Sequence, residues 1–173
     1  MDIYYKKPNK FKVKKRGGIS ILPKGGVSIN MATLLAGTEY DIVPGKNVVL
    51  NGTKMRVVKL LPTKENADVV LTTLYIDEKV LAIKRATVTT KENGTYQIDL
   101  TYGRYLSWSL PDKVLFSFNT KDYKLPKGIT FEYEKGDKKQ QPDTKNNKGT
   151  VEITYSSYII NKGVDDKIFA EDK

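Results

Sequence analysis

Alternation of apolar and polar residues with a period of two runs through most of this chain. In one such run Tyr96, Ile98 and Leu100 are separated by polar residues, and Phe116 and Phe118 belong to another. Successive side chains of a strand point to opposite faces, so this pattern is typical of strands with one buried face. We find no long stretch with the 3.6-residue period of an amphipathic helix. The sequence therefore predicts an all-β protein.

Local turn chemistry predicts two hairpins. Residues 48–50 and 53–58 flank Asn51-Gly52, a dipeptide that tolerates the positive φ angles of a type I′ turn. Residues 81–90 and 95–102 flank a loop that ends in glycine. Further strands are expected at residues 11–14, 69–76, 114–119, 129–134 and 151–155. Short strands at this spacing favour an antiparallel β-sandwich of the jelly-roll or immunoglobulin-like kind, with a barrel as the alternative.

The same alternation predicts which side chains form the core. The expected core residues are Val49, Met55, Val57, Val70, Leu71, Leu74, Ile83, Val88, Tyr96, Ile98, Leu100, Trp108, Phe116, Phe118, Phe131, Tyr133, Val151 and Ile153.

Charge is distributed unevenly along the chain, whose net charge is +10. More than half of it falls in residues 1–16, which we interpret as a basic N-terminal arm before a single β domain at 17–164 and a tail at 165–173. Basic segments attract polyanions and acidic protein surfaces. The predicted partner-binding residues of the arm are Tyr4, Tyr5, Lys6, Lys7, Lys10, Lys12, Lys14, Lys15 and Arg16.

Two other segments are secondary candidates for a binding surface. Residues 135–149 form a long polar loop in which Lys138 and Lys139 could contact a partner. Tyr102, Arg104 and Tyr105 interleave aromatic and basic side chains, a combination that can stack nucleobases.

The residue types exclude most catalytic and metal sites. The chain has no cysteine and no histidine, which excludes thiolate zinc sites, cysteine nucleophiles and the Ser-His-Asp triad. The glycines of residues 17–26 do not form a phosphate-binding loop. Carboxylates such as Glu132 and Glu152 fit the solvent face of a strand. We therefore expect no enzymatic activity, no cofactor and no metal.

The basic arm, the glycine-rich residues 17–26, the segment 35–38 and the β body without histidine or cysteine resemble bacteriophage capsid decoration, head-auxiliary and head-fibre-base proteins. The resemblance implies a non-enzymatic structural protein of the virion that binds a capsid or tail lattice through its terminal arms. Its partners would be other virion proteins or copies of itself, and its location the virion and, during assembly, the host cytoplasm.

Two alternative functions remain open from the residues. The basic arm could belong to a nucleic-acid-binding β module. The aromatic side chains of Tyr105 and Trp108 could belong to a carbohydrate-binding β-sandwich. No apolar run approaches the length of a membrane span, so no membrane partner is expected.

Overall fold

The computed structural model describes residues 2–7, 10–14, 40–65, 67–92, 94–119 and 148–170. Ten strands dominate this part of the chain. They are β1 (Asp2–Lys6), β2 (Lys10–Lys14), β3 (Tyr40–Pro44), β4 (Val48–Leu50), β5 (Thr53–Pro62), β6 (Val69–Asp77), β7 (Ala82–Thr90), β8 (Thr95–Thr101), β9 (Lys113–Asn119) and β10 (Lys148–Thr154). Two short 3₁₀ helices lie at Leu106–Trp108 and Asp166–Phe169. The prediction of an all-β protein is confirmed.

The chain divides into two units. In the first, β1 and β2 form an antiparallel hairpin in which Tyr4 lies opposite Lys12. This unit also contains the 3₁₀ helix Asp166–Phe169. The second unit contains β3 to β10.

Strands β3 to β10 form one antiparallel sheet with the order β10-β9-β8-β7-β6-β5-β3, in which β4 also pairs with β5. Within the described strands the sheet is not closed, because β10 and β3 lie at opposite edges. The strands from β5 to β9 each pair with the next strand along the chain.

Both predicted hairpins are present. Asn51 and Gly52 have φ angles of 49° and 76° and join β4 to β5, as their type I′ chemistry requires. The second hairpin consists of β7 and β8. The strands expected at 69–76 and 114–119 correspond to β6 and β9.

Strand β10 pairs with β9 at the C-terminal end of the sheet, so that Val151 lies opposite Phe116. The strand expected at residues 129–134 lies outside the described residues. Lys148 and Gly149 belong to β10, although both were expected in the loop. Strand β3 was not predicted.

Directly opposed residues of antiparallel strands lie on the same face of a sheet, so the register assigns each side chain to a face. One face, called the apolar face below, collects side chains from seven strands. Its buried members are Leu60, Thr72, Leu74, Ala86, Val88, Ile98, Leu100, Val114, Phe116 and Phe118.

Three residues of the predicted core are exposed. Val49 is 71% exposed, Val70 46% and Trp108 55%. Each lies near the end of a strand or in a turn, where alternation continues but the sheet no longer covers the side chain. Phe131 and Tyr133 lie outside the described residues.

Gly149 provides a test of the β9–β10 register. It lies directly opposite Phe118, and a Cβ atom at this position would overlap the Phe118 ring. We expect Gly149→Ala to lower the free energy of unfolding by about 1–3 kcal/mol, because the overpacked ring must shift. Chemical denaturation would measure the change. The matched control is Thr150→Ala, at the next and exposed position, which should change stability by less than about 0.5 kcal/mol. Equal effects would contradict the register.

Candidate functional site

The apolar face brings ten buried side chains together on one side of the described sheet. Its centre is fully shielded from solvent, with Ala86, Val88 and Ile98 all 0% exposed. Next to them the ring centroids of Phe116 and Phe118 lie 5.4 Å apart, within the range of favourable aromatic pairs. β-Branched and aromatic residues recur on this face because they pack well on a pleated surface.

Burial on this face decreases sharply at the β3 edge. Ile42 lies directly opposite Leu60, yet Ile42 is 68% exposed whereas Leu60 is 3% exposed. Ile42 therefore continues the apolar face into solvent. An apolar ligand that covered this exposed side chain would remove apolar surface from water, which favours binding.

Thr72 is the polar exception within the apolar face. It lies opposite Leu60 on one side and Val88 on the other, and it is 0% exposed. Its hydroxyl Oγ1 has no hydrogen-bond partner in the structure as described. A buried hydroxyl without a partner is unfavourable by about 1–3 kcal/mol.

The opposite face of the sheet is polar at β7 and β8. The Arg85 guanidinium donates to the Asp99 carboxylate at 2.5 Å, and the Gln97 amide donates to the same carboxylate at 2.6 Å. Arg85 and Asp99 lie directly opposite each other in β7 and β8. In β5 the same face buries Met55 and Val57, so the two faces differ most at the centre of the sheet.

The basic residues predicted to bind a partner lie in the β1–β2 hairpin, where three of them contact the C-terminal segment of the same chain. The ammonium groups of Lys6 and Lys10 donate to one carboxylate oxygen of Asp166 at 2.9 and 2.8 Å. Lys12 donates to the carbonyl oxygen of Ala170 at 2.5 Å. The hydrogen bonds from Lys10 and Lys6 lower the pKa of Asp166 from 3.8 to about 2.

The remaining predicted residues of the arm are less constrained or lie outside the described part. Tyr4 has the Lys14 ammonium 6.0 Å from its ring centroid. Tyr5 is half-buried and Lys7 is exposed. Lys15, Arg16, Lys138 and Lys139 lie outside the described residues.

Tyr102, Arg104 and Tyr105 are brought together in the β8–β9 turn. The Tyr102 hydroxyl donates to the Ile83 carbonyl oxygen at 2.8 Å, and burial raises its pKa to about 12. The Lys84 ammonium lies 5.1 Å from the Tyr102 ring centroid. Arg104 lies 5.4 Å from the Tyr105 ring centroid and donates to the Ser156 carbonyl oxygen. These contacts hold the turn against β7 and the segment that follows β10.

Sequence reasoning did not single out Ile42 or Thr72. Thr72 lies beside Thr73 in a largely apolar run at residues 69–76, and only the register shows which of the two threonines lies on the apolar face. Ile42 has no comparable signal, because its strand contains Asp41 and ends at Pro44.

The described residues contain no cluster of three side chains suited to hold a metal ion. Over the same part of the chain, no helix has the length and apolar character needed to cross a bilayer.

No protein family and no curated protein matches the sequence. Two solved structures are similar to the chain. One is described as an outer membrane lipoprotein-sorting protein domain from Vibrio parahaemolyticus, with a TM-score of 0.51, 13% identity and coverage of 76% of this chain. The other is a DUF1329 family protein from Desulfovibrio piger, with a TM-score of 0.46, 11% identity and coverage of 76%. This chain spans 46% and 45% of their lengths.

The first comparison corrects the function expected from the sequence. This chain shares its fold with part of a structure described as a lipoprotein-sorting domain, and the expectation of a structural virion protein, whether decoration protein or capsid component, is wrong. At 13% identity the similarity establishes a shared fold.

The contact between the hairpin and Asp166 should depend on acid pH. The folded-state pKa of Asp166 is lowered to about 2. The ionised carboxylate therefore contributes fully to the stability of this contact above the ordinary pKa of 3.8, and the contribution is lost as the pH falls toward 2. We expect the protection of the backbone amides of residues 166–170, measured against the intrinsic exchange rate at each pH, to fall between about pH 4 and pH 2. Asp166→Asn should remove this pH-dependent step and leave exchange in β7 and β8 unchanged. An identical step in the variant would contradict the assignment.

Proposed function

We propose that this protein binds a lipid through its acyl chain, on the apolar face of the open sheet. The observation that supports this most directly is the apolar face itself, which extends over seven strands of a sheet whose edges β3 and β10 do not meet. A closed barrel would allow entry only at its ends. An open sheet allows an elongated ligand to enter at an edge.

We also propose that β3 to β10 form one open sheet and not a sandwich. All eight strands belong to a single hydrogen-bonded sheet, whereas a sandwich consists of two sheets packed face to face.

Two further features support an acyl chain as the ligand. Ile42 presents an exposed apolar margin beside the buried centre of the face. The Thr72 hydroxyl supplies a buried polar atom that an ester, carboxyl or hydroxyl group could satisfy. The lipoprotein-sorting description of the similar structure agrees with a ligand of this class, since lipoproteins are proteins with attached acyl chains.

Adjacent residues of β3 allow a matched test of the site. Ile42 lies opposite Leu60 on the apolar face, whereas Val43 lies opposite Lys59 on the other. Both are exposed. We expect Ile42→Asp to weaken binding of a fluorescent fatty acid by about tenfold or more, because a charge would replace apolar contact. Val43→Asp should leave the affinity unchanged. Absence of fatty-acid binding by the unmodified protein, or equal losses in the two variants, would contradict the proposal.

Thr72→Val separates ligand binding from stability. Removing the unpaired hydroxyl from an apolar surrounding should raise the free energy of unfolding by about 1 kcal/mol. If the hydroxyl binds the ligand's polar group, the same variant should bind a fatty acid several-fold more weakly. Thermal denaturation and the fluorescent titration measure the two effects. A more stable variant with unchanged affinity would show that the ligand's polar group lies elsewhere.

A further inference from the structure

The strand order brings three turns together at one end of the sheet. Hairpins β4–β5, β6–β7 and β8–β9 lie side by side. Their turns contain Asn51-Gly52, residues 78–81 and residues 102–112. Because neighbouring strands are about 4.8 Å apart, successive turns lie roughly 10 Å apart. We call this row of turns the tip end.

Each hairpin of the tip end exposes a large apolar side chain, in its turn or in the strand beside the turn. Val49 is 71% exposed, Leu81 78% and Trp108 55%. The described loops at the opposite end differ, since residues 63–65, 67–68 and 91–92 have no large apolar side chain. The strand ends there expose Val70 and Leu61 to 46% and 39%, so the most exposed apolar side chains of the two ends belong to the tip end.

Leu81 is the least expected of the three residues. Its φ angle is 51°, a left-handed conformation that favours glycine or asparagine over a residue with a bulky side chain. Asn51 meets the same requirement in the first turn with a φ of 49°. At position 81 the backbone would accept asparagine more easily, so leucine is not explained by the turn geometry.

Basic side chains accompany the apolar ones. Glu78 pairs with Arg56, Asp112 with Arg104 and Glu152 with Lys113. Lys54 and Lys79 are exposed and form no ion pair within the described residues. Asp77, also at this end, is buried and accepts from the Lys79 backbone N–H. The tip end therefore presents unneutralised positive charge.

We propose that the tip end docks onto the surface of an anionic lipid bilayer, with Val49, Leu81 and Trp108 inserted among the lipids. A bilayer accepts separate apolar side chains without requiring a contiguous complementary surface, and tryptophan favours its interfacial region. Anionic headgroups match the charge of Lys54 and Lys79. Surface docking needs no membrane-spanning run, the feature whose absence led us to expect no membrane partner. This inference does not depend on a ligand on the apolar face.

Trp108 is the sole tryptophan of the chain and reports directly on this docking. The unmodified full chain would be titrated with phosphatidylglycerol vesicles and, separately, with phosphatidylcholine vesicles. We expect phosphatidylglycerol to shift the emission to the blue, with quenching by brominated lipid and weakening by salt. Phosphatidylcholine should produce a much smaller effect. Absence of a shift with phosphatidylglycerol would overturn the proposal and favour a protein partner for this surface.

Variants locate the contact. Leu81→Asn should weaken partitioning by about tenfold while the melting temperature stays the same or rises, because asparagine tolerates the backbone conformation. Val49→Asn should also weaken it. The matched control is Val70→Asn, which replaces a half-exposed valine at the opposite end of the sheet and should have no effect. Partitioning that survives both tip substitutions but is lost in Lys7→Gln/Lys14→Gln would overturn the proposal and assign binding to the basic hairpin.

The two lipid proposals fail separately. Ile42→Asp should weaken fatty-acid binding without altering vesicle partitioning, and Leu81→Asn should weaken vesicle partitioning without altering fatty-acid binding. Loss of vesicle partitioning in Ile42→Asp, with retention in Leu81→Asn, would overturn docking through the tip end.

Discussion

The antiparallel register of the eight-stranded sheet determines which side chains share a face, and the other features of this unit depend on it. Ile98 lies between Ala86 and Phe116, so three strands contribute to one apolar row. The same register pairs Arg85 with Asp99 on the opposite face. A slip by a single residue would exchange the two faces of a strand and bury this ion pair among hydrocarbon.

Strand β6 departs from regular pairing at both ends. Its register with β7 shifts between Val69 and Leu71 and again between Tyr75 and Ile76. Bulges of this kind bend a strand and increase its twist. Between the two shifts, Thr72 and Leu74 remain aligned with Val88 and Ala86. The regular centre of β6 thus maintains the apolar face, while its irregular ends lead into the turns.

Predictions from the sequence succeeded where the determining chemistry is local. Asn51-Gly52 specifies its turn through the φ angles that it tolerates, and alternation identified the buried face around Ile98. Interactions between distant residues could not be predicted, such as the pairing of β10 with β9. Alternation also says nothing about where a sheet stops covering its side chains, which is why Val49 and Trp108 were misplaced in the core.

The functional expectation was wrong for a related reason. It depended on a basic arm and a glycine-rich segment, features of composition that many proteins share. The apolar face and the order of its strands become visible only when register is known. Ile42 illustrates this, because its position beside Leu60 follows from the pairing of β3 with β5 and from no local pattern.

The contact of Asp166 with the first hairpin has a consequence for synthesis of the chain. Asp166 follows Lys6 by 160 residues and Lys10 by 156, whereas β5 to β9 pair with immediate neighbours in the sequence. Contacts between distant residues require the closure of long loops and form late. The basic strands leave the ribosome long before their acidic partner is synthesised. Until then, the nascent chain therefore presents Lys6 and Lys10 without Asp166 to ribosomal RNA and other cellular polyanions.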